Sequence, residues 1–142
     1  MRYKIIRKGE AEAYSQRSGE NIAFLATGSD TDGKVSIFDS ILTKGNGAPL
    51  HYHEIDDEIF YTISGQVEFT INNETLTTTE GDLVIAGPQV LRSFKALTDS
   101  HILVINAPGG PSEGFLREVL SLNKISEADK KRFAEKYKIH IL

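Results

Sequence analysis

The chain has 142 residues, no cysteine and a formal net charge of −4, with 39% hydrophobic and 25% charged residues. That length suits one domain, residues 1–142, with a sizeable core, and the balance is that of a globular protein. Disulfides and thiolate metal sites are excluded, no basic cluster interleaves with aromatics to suggest nucleic acid, and no stretch reaches membrane-spanning length.

The opening segment, MRYKIIRKGEAEAY, holds no long apolar run, so a cytoplasmic protein is expected. Residues 1–20 are polar apart from the Ile5-Ile6 pair and read as an arm lying on this subunit or on a partner. Residues 22–27 and 35–42 read as strands, separated by turn chemistry at Ser29 to Lys34. The Asp30-Thr31-Asp32-Gly33 run resembles a calcium loop only faintly and lacks its distal glutamate, so it reads as a turn. Strands at 50–54 and 58–64 follow, then 66–71, where Val67, Phe69 and Ile71 alternate onto one face. Asn72-Asn73 marks a hairpin to 75–78. Residues 83–86, 90–96 and 101–106 complete a series of short strands with frequent turns, the pattern of a sandwich or barrel. From Pro108 the composition turns helical. Pro111 opens a helix over 112–120 with Phe115, Leu116, Val119 and Leu120 on its apolar side. Ser126 to Asp129 has the spacing of a capping box for a second helix to about Tyr137.

The chemistry concentrates between Gly45 and Gly65. His51 and His53 are two apart, so a strand projects both from one face. Glu58 begins the next strand after a turn in which Asp56 and Asp57 are expected to be solvated. If the strands pair, Glu58 points at the same spot as the imidazoles. Two imidazoles and a carboxylate suit iron, with zinc, manganese, nickel or copper as alternatives. The bland alternative is a solvated His-x-His face. Alternation puts Phe60 and Thr62 on the face of Glu58, and Phe94 on that of Arg92, so these residues are candidates for the cavity wall or for ordinary core. Tyr52 faces away from the histidines. His140 is expected at the surface.

Gly45, His51, His53, Glu58 and Gly65 match the first motif of the cupin family position for position. The second motif is degraded. Aligning Gly81 sets Gly87 at its proline, Gln89 at its glycine, Arg92 at its histidine and Ala96 at its asparagine, while Ser93-Phe94-Lys95 is similar to the usual Ser-Phe-Arg. The tail from Ala107 resembles single-domain bacterial cupins described as quercetin-dioxygenase-like. The resemblance implies an all-β jelly-roll barrel, here about 20–107, followed by a helical segment at about 111–138. It also implies a divalent metal on three histidines and a glutamate, of which His51, His53 and Glu58 carry over.

Arg92 cannot ligate, because a protonated guanidinium has no lone pair to offer. Three arrangements are open. A metal sits on the three remaining ligands while Arg92 receives an anionic substrate, with Glu58 and Arg92 as the catalytic pair. Or Arg92 pairs with Glu58 in place of the metal, and the cavity is a small-anion binder or an isomerase or epimerase pocket. Or the barrel is a structural module. His101 could supply the fourth ligand if its strand faces inward. The expected activity is metal-dependent and dioxygenase-like, on a small polar or aromatic molecule held by Arg92, Phe60, Thr62 and Phe94. A homodimer is expected from the polar N-terminal arm and the open sheet edges.

Overall fold

The computed structural model describes residues 2–16 and 19–142. Eleven strands among the described residues form two sheets: β1 Glu12–Ser15, β2 Asn21–Ala26, β3 Ser36–Leu42, β4 Gly47–His53, β5 Asp57–Ser64, β6 Val67–Ile71, β7 Glu74–Thr78, β8 Leu83–Ala86, β9 Arg92–Ala96, β10 Ser100–Ala107 and β11 Ile139–Ile141. One sheet runs β1-β2-β3-β10-β5-β8 and the other β11-β4-β9-β6-β7, with antiparallel pairing throughout. This is the jelly-roll barrel that the family resemblance implied, where the strand pattern alone reached only a sandwich or barrel. Two helices follow the barrel strands, α1 Pro111–Val119 and α2 Glu127–Tyr137, before β11 returns to pair with β4.

Alternation fills the barrel. On β10, Ser100, Ile102, Val104 and Asn106 are buried, and their neighbours on β3 and β5 share that face. Register stacks them in layers: Asn106 lies beside Glu58, Val104 beside Phe60, and Ile102 beside Thr62. One end of the barrel interior is therefore polar and the middle apolar. Phe38, Phe60, Phe69, Val67, Leu42 and Ile102 are almost completely buried there. Phe60, Phe69 and Phe94 form a triangle of tilted rings with centroids 5.1 to 5.6 Å apart, a packing that adds to simple area burial.

The polar N-terminal segment makes contacts within its own chain. Its Glu12 to Ser15 stretch becomes β1 and pairs with β2, and Lys4 bonds Asp30 at 2.9 Å. Glu12 also takes a forked contact from Arg117 of α1, at 2.8 and 2.9 Å. Arg117 stacks over Phe24 as well, 5.1 Å from the ring centroid. The expected capping box is present: Ser126 Oγ accepts from the Asp129 amide at 3.0 Å, and Asp129 accepts from the Ser126 amide at 2.9 Å. Phe133 of α2 is fully buried and meets Phe115 of α1 edge-on at 5.2 Å. No helix of the described residues is long and apolar enough to cross a membrane.

The two glycines that bracket the histidine unit both have positive φ, +94° at Gly45 and +87° at Gly65, but differ in surroundings. A Cβ at Gly45 would meet open space, whereas one at Gly65 would collide with Ser100 and sit 2.6 Å from the Asp99 carbonyl oxygen. Gly45→Ala is expected to cost ~1–2 kcal/mol, the left-handed penalty alone. Gly65→Ala should cost clearly more, because backbone must also move. Chemical denaturation of the two variants checks the ranking, and equal midpoints would contradict it.

Candidate metal centre

The strands β4 and β5 deliver the three expected side chains to one place. His51, His53 and Glu58 are all buried, and one donor atom from each lies within 4.8 Å of the others. The Nε2 atoms of His51 and His53 are 3.7 and 3.6 Å from Glu58 Oε1. Each imidazole is held from behind. His51 Nδ1 donates to the Pro49 carbonyl oxygen at 2.7 Å, and His53 Nδ1 lies 2.9 and 3.0 Å from the two carboxylate oxygens of Asp56. A carbonyl or carboxylate oxygen can only accept, so the proton sits on Nδ1 and the Nε2 lone pairs face inward.

Asp56 is therefore not the solvated turn residue expected from its position beside Asp57. It is 2% exposed. Asn106, which the sequence reading did not single out, ties the centre together. Its Nδ2 donates to Asp56 Oδ2 at 2.7 Å and to Glu58 Oε2 at 3.2 Å. No motif flags either residue. The only available signal was alternation along β10, which turns Asn106 inward with Val104 and Ile102.

Arg92 occupies the strand position beside His51, as the aligned second motif requires. It is fully buried, and its Nε lies 3.6 Å from Glu58 Oε1. The guanidinium is anchored elsewhere: Nη2 donates to the Ala86 and Gly87 carbonyl oxygens at 2.8 and 3.4 Å. Arg92 thus forms an ion pair with Glu58 without a hydrogen bond to it. Burial by itself would raise the Glu58 pKa, but His53, His51 and Arg92 outweigh that and hold it down at about 2. Burial pulls His53 down in turn, and Glu58 and Asp56 reverse the effect, so its pKa is raised.

These residues fit a divalent ion. Glu58 Oε1 is buried and has no hydrogen-bond partner among the described residues, although a buried carboxylate oxygen ordinarily finds one. It sits between two imidazole nitrogens whose lone pairs are also unclaimed. Charge agrees as well: with both imidazoles neutral, as metal ligation requires, two carboxylates, Asp56 and Glu58, stand against one guanidinium. The repulsion between Arg92 and a divalent ion here is on the order of several kcal/mol at an effective dielectric near 20, and each carboxylate offsets it with an attraction of similar size.

The centre opens into a cavity of about 420 Å3. His51, His53, Glu58 and Asn106 line its polar end, and Phe38, Phe60, Phe94, Val104 and Ile22 its walls. The apolar side of α1, with Phe115, Leu116, Val119 and Leu120, forms a roof. Phe60 and Phe94 therefore sit where expected. Two other expectations fail. Thr62 does not reach the cavity, because its layer lies deeper and its hydroxyl is bonded to that of Thr78 at 2.8 Å. Arg92 is not on the cavity wall either, being held behind Glu58 by the two carbonyls. His101 does not supply a fourth ligand: its Nε2 is 2.6 Å from Asp39, on the opposite face from Ile102. Tyr52 faces away from the centre and stacks on His140 with centroids 4.4 Å apart.

Residues 38–107 match the cupin-domain family. Among solved structures, KdgF from Halomonas sp. superposes with a TM-score of 0.71 at 18% identity, covering 79% of this chain and 99% of that one. A predicted oxalate decarboxylase from Thermotoga maritima gives 0.65 at 23% identity, covering 74% and 99%. Pac13, a nucleoside dehydratase from Streptomyces, gives 0.64 at 17% identity, covering 80% and 88%. No curated protein matches the sequence. The family match and the shared fold support the cupin superfamily; at these identities they do not reach the quercetin-dioxygenase-like group.

Asp56 and Asn106 act on the centre through its ligands, so their removal should loosen it without deleting a donor. Asp56→Asn and Asn106→Leu are each expected to lower divalent-ion affinity by about 10- to 100-fold, the usual effect of losing an outer partner. Calorimetric titration with nickel or zinc reads this out, with circular dichroism confirming an intact barrel. Unchanged affinity in both variants would separate the carboxylate–amide network from metal binding.

Proposed function

We propose that this chain, whose residues 38–107 match the cupin domain, is a metal-dependent enzyme of the dioxygenase-like kind acting on a small, largely apolar molecule. The observation that carries the reading is Glu58 Oε1, buried and unclaimed between two inward-facing imidazole nitrogens. A facial set of two histidines and one carboxylate suits iron(II), with manganese, nickel, zinc and copper as alternatives. The ion would supply Lewis acidity and open positions for oxygen donors of substrate and co-substrate.

The chain's own residues supply the rest. His51, His53 and Glu58 would hold the ion, with Asp56 and Asn106 fixing the direction of two of them. Phe38, Phe60, Phe94 and the α1 roof exclude water and orient an apolar body toward the polar end. Arg92 does not receive substrate in this reading. It lies behind Glu58, keeps it ionised and ready to ligate, and weakens the ion's hold. The alternative, a metal-free anion binder or isomerase built on Arg92, is disfavoured because Arg92 does not line the cavity and its Nη2 is held by the Ala86 and Gly87 carbonyls.

Freshly purified protein is expected to carry, or to take up on supplementation, close to one equivalent of a first-row transition metal by elemental analysis. His51→Ala and Glu58→Gln should abolish uptake. Native protein that stays empty after supplementation would overturn the reading in favour of acid–base chemistry. Arg92→His should raise metal affinity about tenfold or more, since it replaces a repulsive charge by an imidazole beside His51, at some cost in stability from the orphaned Ala86 carbonyl. An unchanged affinity would remove residue 92 from the fourth position.

We also propose a homodimer. Exposed Leu83 and Ile85 lie on β8, the free edge of the larger sheet, with half-exposed Tyr61 paired to Leu83 on β5. An apolar strip on an unpaired edge invites a second copy. Light scattering should give twice the chain mass, shifting toward monomer in Ile85→Lys; a native monomer at high micromolar concentration would contradict this.

A further inference from the structure

The cavity lining holds a carboxylate that the centre does not use. Glu20 immediately precedes β2, and by alternation it continues the inward face of Ile22 and Phe24. It lines the same cavity as the histidines. Its place along the barrel is remote from them. Asn21 pairs with Ile41, and Ile41 pairs with His101, near the start of β10, whereas Glu58 pairs with Asn106 near its end. Five residues of strand separate the two levels, roughly 16 Å along the sheet before side-chain reach is subtracted. The walls between them are Ile22, Phe38, Phe60 and Val104.

We propose that the cavity takes a ligand with two polar ends, an oxygen-donor head at the histidine centre and a cationic amine tail received by Glu20, joined by an apolar body. This deepens the metalloenzyme reading and rests on it for the head alone. Glu20 is half-buried and has neither an ion-pair nor a hydrogen-bond partner for its carboxylate among the described residues. Burial with no compensating charge raises its pKa to about 7. A carboxylate so placed gains from a cation more than a solvated one does, because part of its desolvation is already incurred. The other charged residue of the lining is Lys124. It is exposed, so an anionic tail drawn to it would form a water-screened pair of little value.

The test compares 4-alkylcatechols of matched tail length ending in an amine, a methyl or a carboxylate, on metal-loaded protein at pH 8. The amine series is expected to bind at least about fivefold tighter than the methyl series at the best length, and Glu20→Gln should erase the preference. Glu20→Gln keeps the shape and removes a buried charge, so it is expected to fold; comparison on native protein alone remains decisive if it does not. Equal binding of amine and methyl tails overturns the proposal, as does a preference that survives Glu20→Gln. Tightest binding by the carboxylate series, lost in Lys124→Ala, overturns it in favour of the opposite polarity. The metal reading is followed separately by titrating the ion alone. Repeating the comparison with 2-phenylethylamine and 2-phenylethanol on metal-free protein tests the tail site when the ion fails to bind.

Discussion

The centre depends on one amide. Asn106 Nδ2 donates at once to Asp56 and to Glu58, and through Asp56 it reaches the back of the His53 ring. Two carboxylates that would otherwise repel inside a barrel are thereby held at a fixed separation by a shared donor. The amide cannot turn over, because its oxygen would then face both carboxylates. The orientation of His53 and the direction of the free Glu58 oxygen both lean on that constraint. The barrel makes it available by register, since β10 and β5 set Asn106 directly beside Glu58.

Arg92 shows how a strand position can keep its geometry and change its chemistry. It points inward beside His51, as a fourth ligand would. A guanidinium there cannot bind a metal, and it is too long to stop at the ligand plane. It passes Glu58 and ends on the Ala86 and Gly87 carbonyls. Those two acceptors and the nearby Glu58 offset part of the cost of burying a cation, while Nε and Nη1 have no hydrogen-bond partner among the described residues. The position offers no ligand and instead adds a positive charge beside a carboxylate that could hold an ion.

The sequence made most of the architecture legible, because alternation and turn chemistry are local signals. The strands from Asn21 to Ala107, the capped helix at Ser126 and the convergence of His51, His53 and Glu58 could all be read from spacing. What escaped was non-local. Asp56 beside Asp57 looks like turn solvation until β10 brings an amide to it. Thr62 shares the face of Glu58, and alternation cannot tell a cavity layer from the deeper one where Thr78 meets it. The reach of Arg92 past the cavity depends on two carbonyls from the β8 end. Residues before Asn21 carry no strand signal of their own and become β1 only because β2 offers an edge.

The cavity is assembled from several separate stretches of chain. The matched stretch, residues 38–107, supplies the histidines, Glu58, Asn106 and most of the walls. The roof comes from α1 and the segment through Ile125, and Glu20 and Ile22 come from the opposite side of the matched stretch. The roof is fastened to the N-terminal strand by the Arg117–Glu12 fork. The candidate metal donors and the roof above them thus come from different parts of the chain. Grafting a different roof and N-terminal hairpin would reshape the entrance while leaving His51, His53 and Glu58 in place.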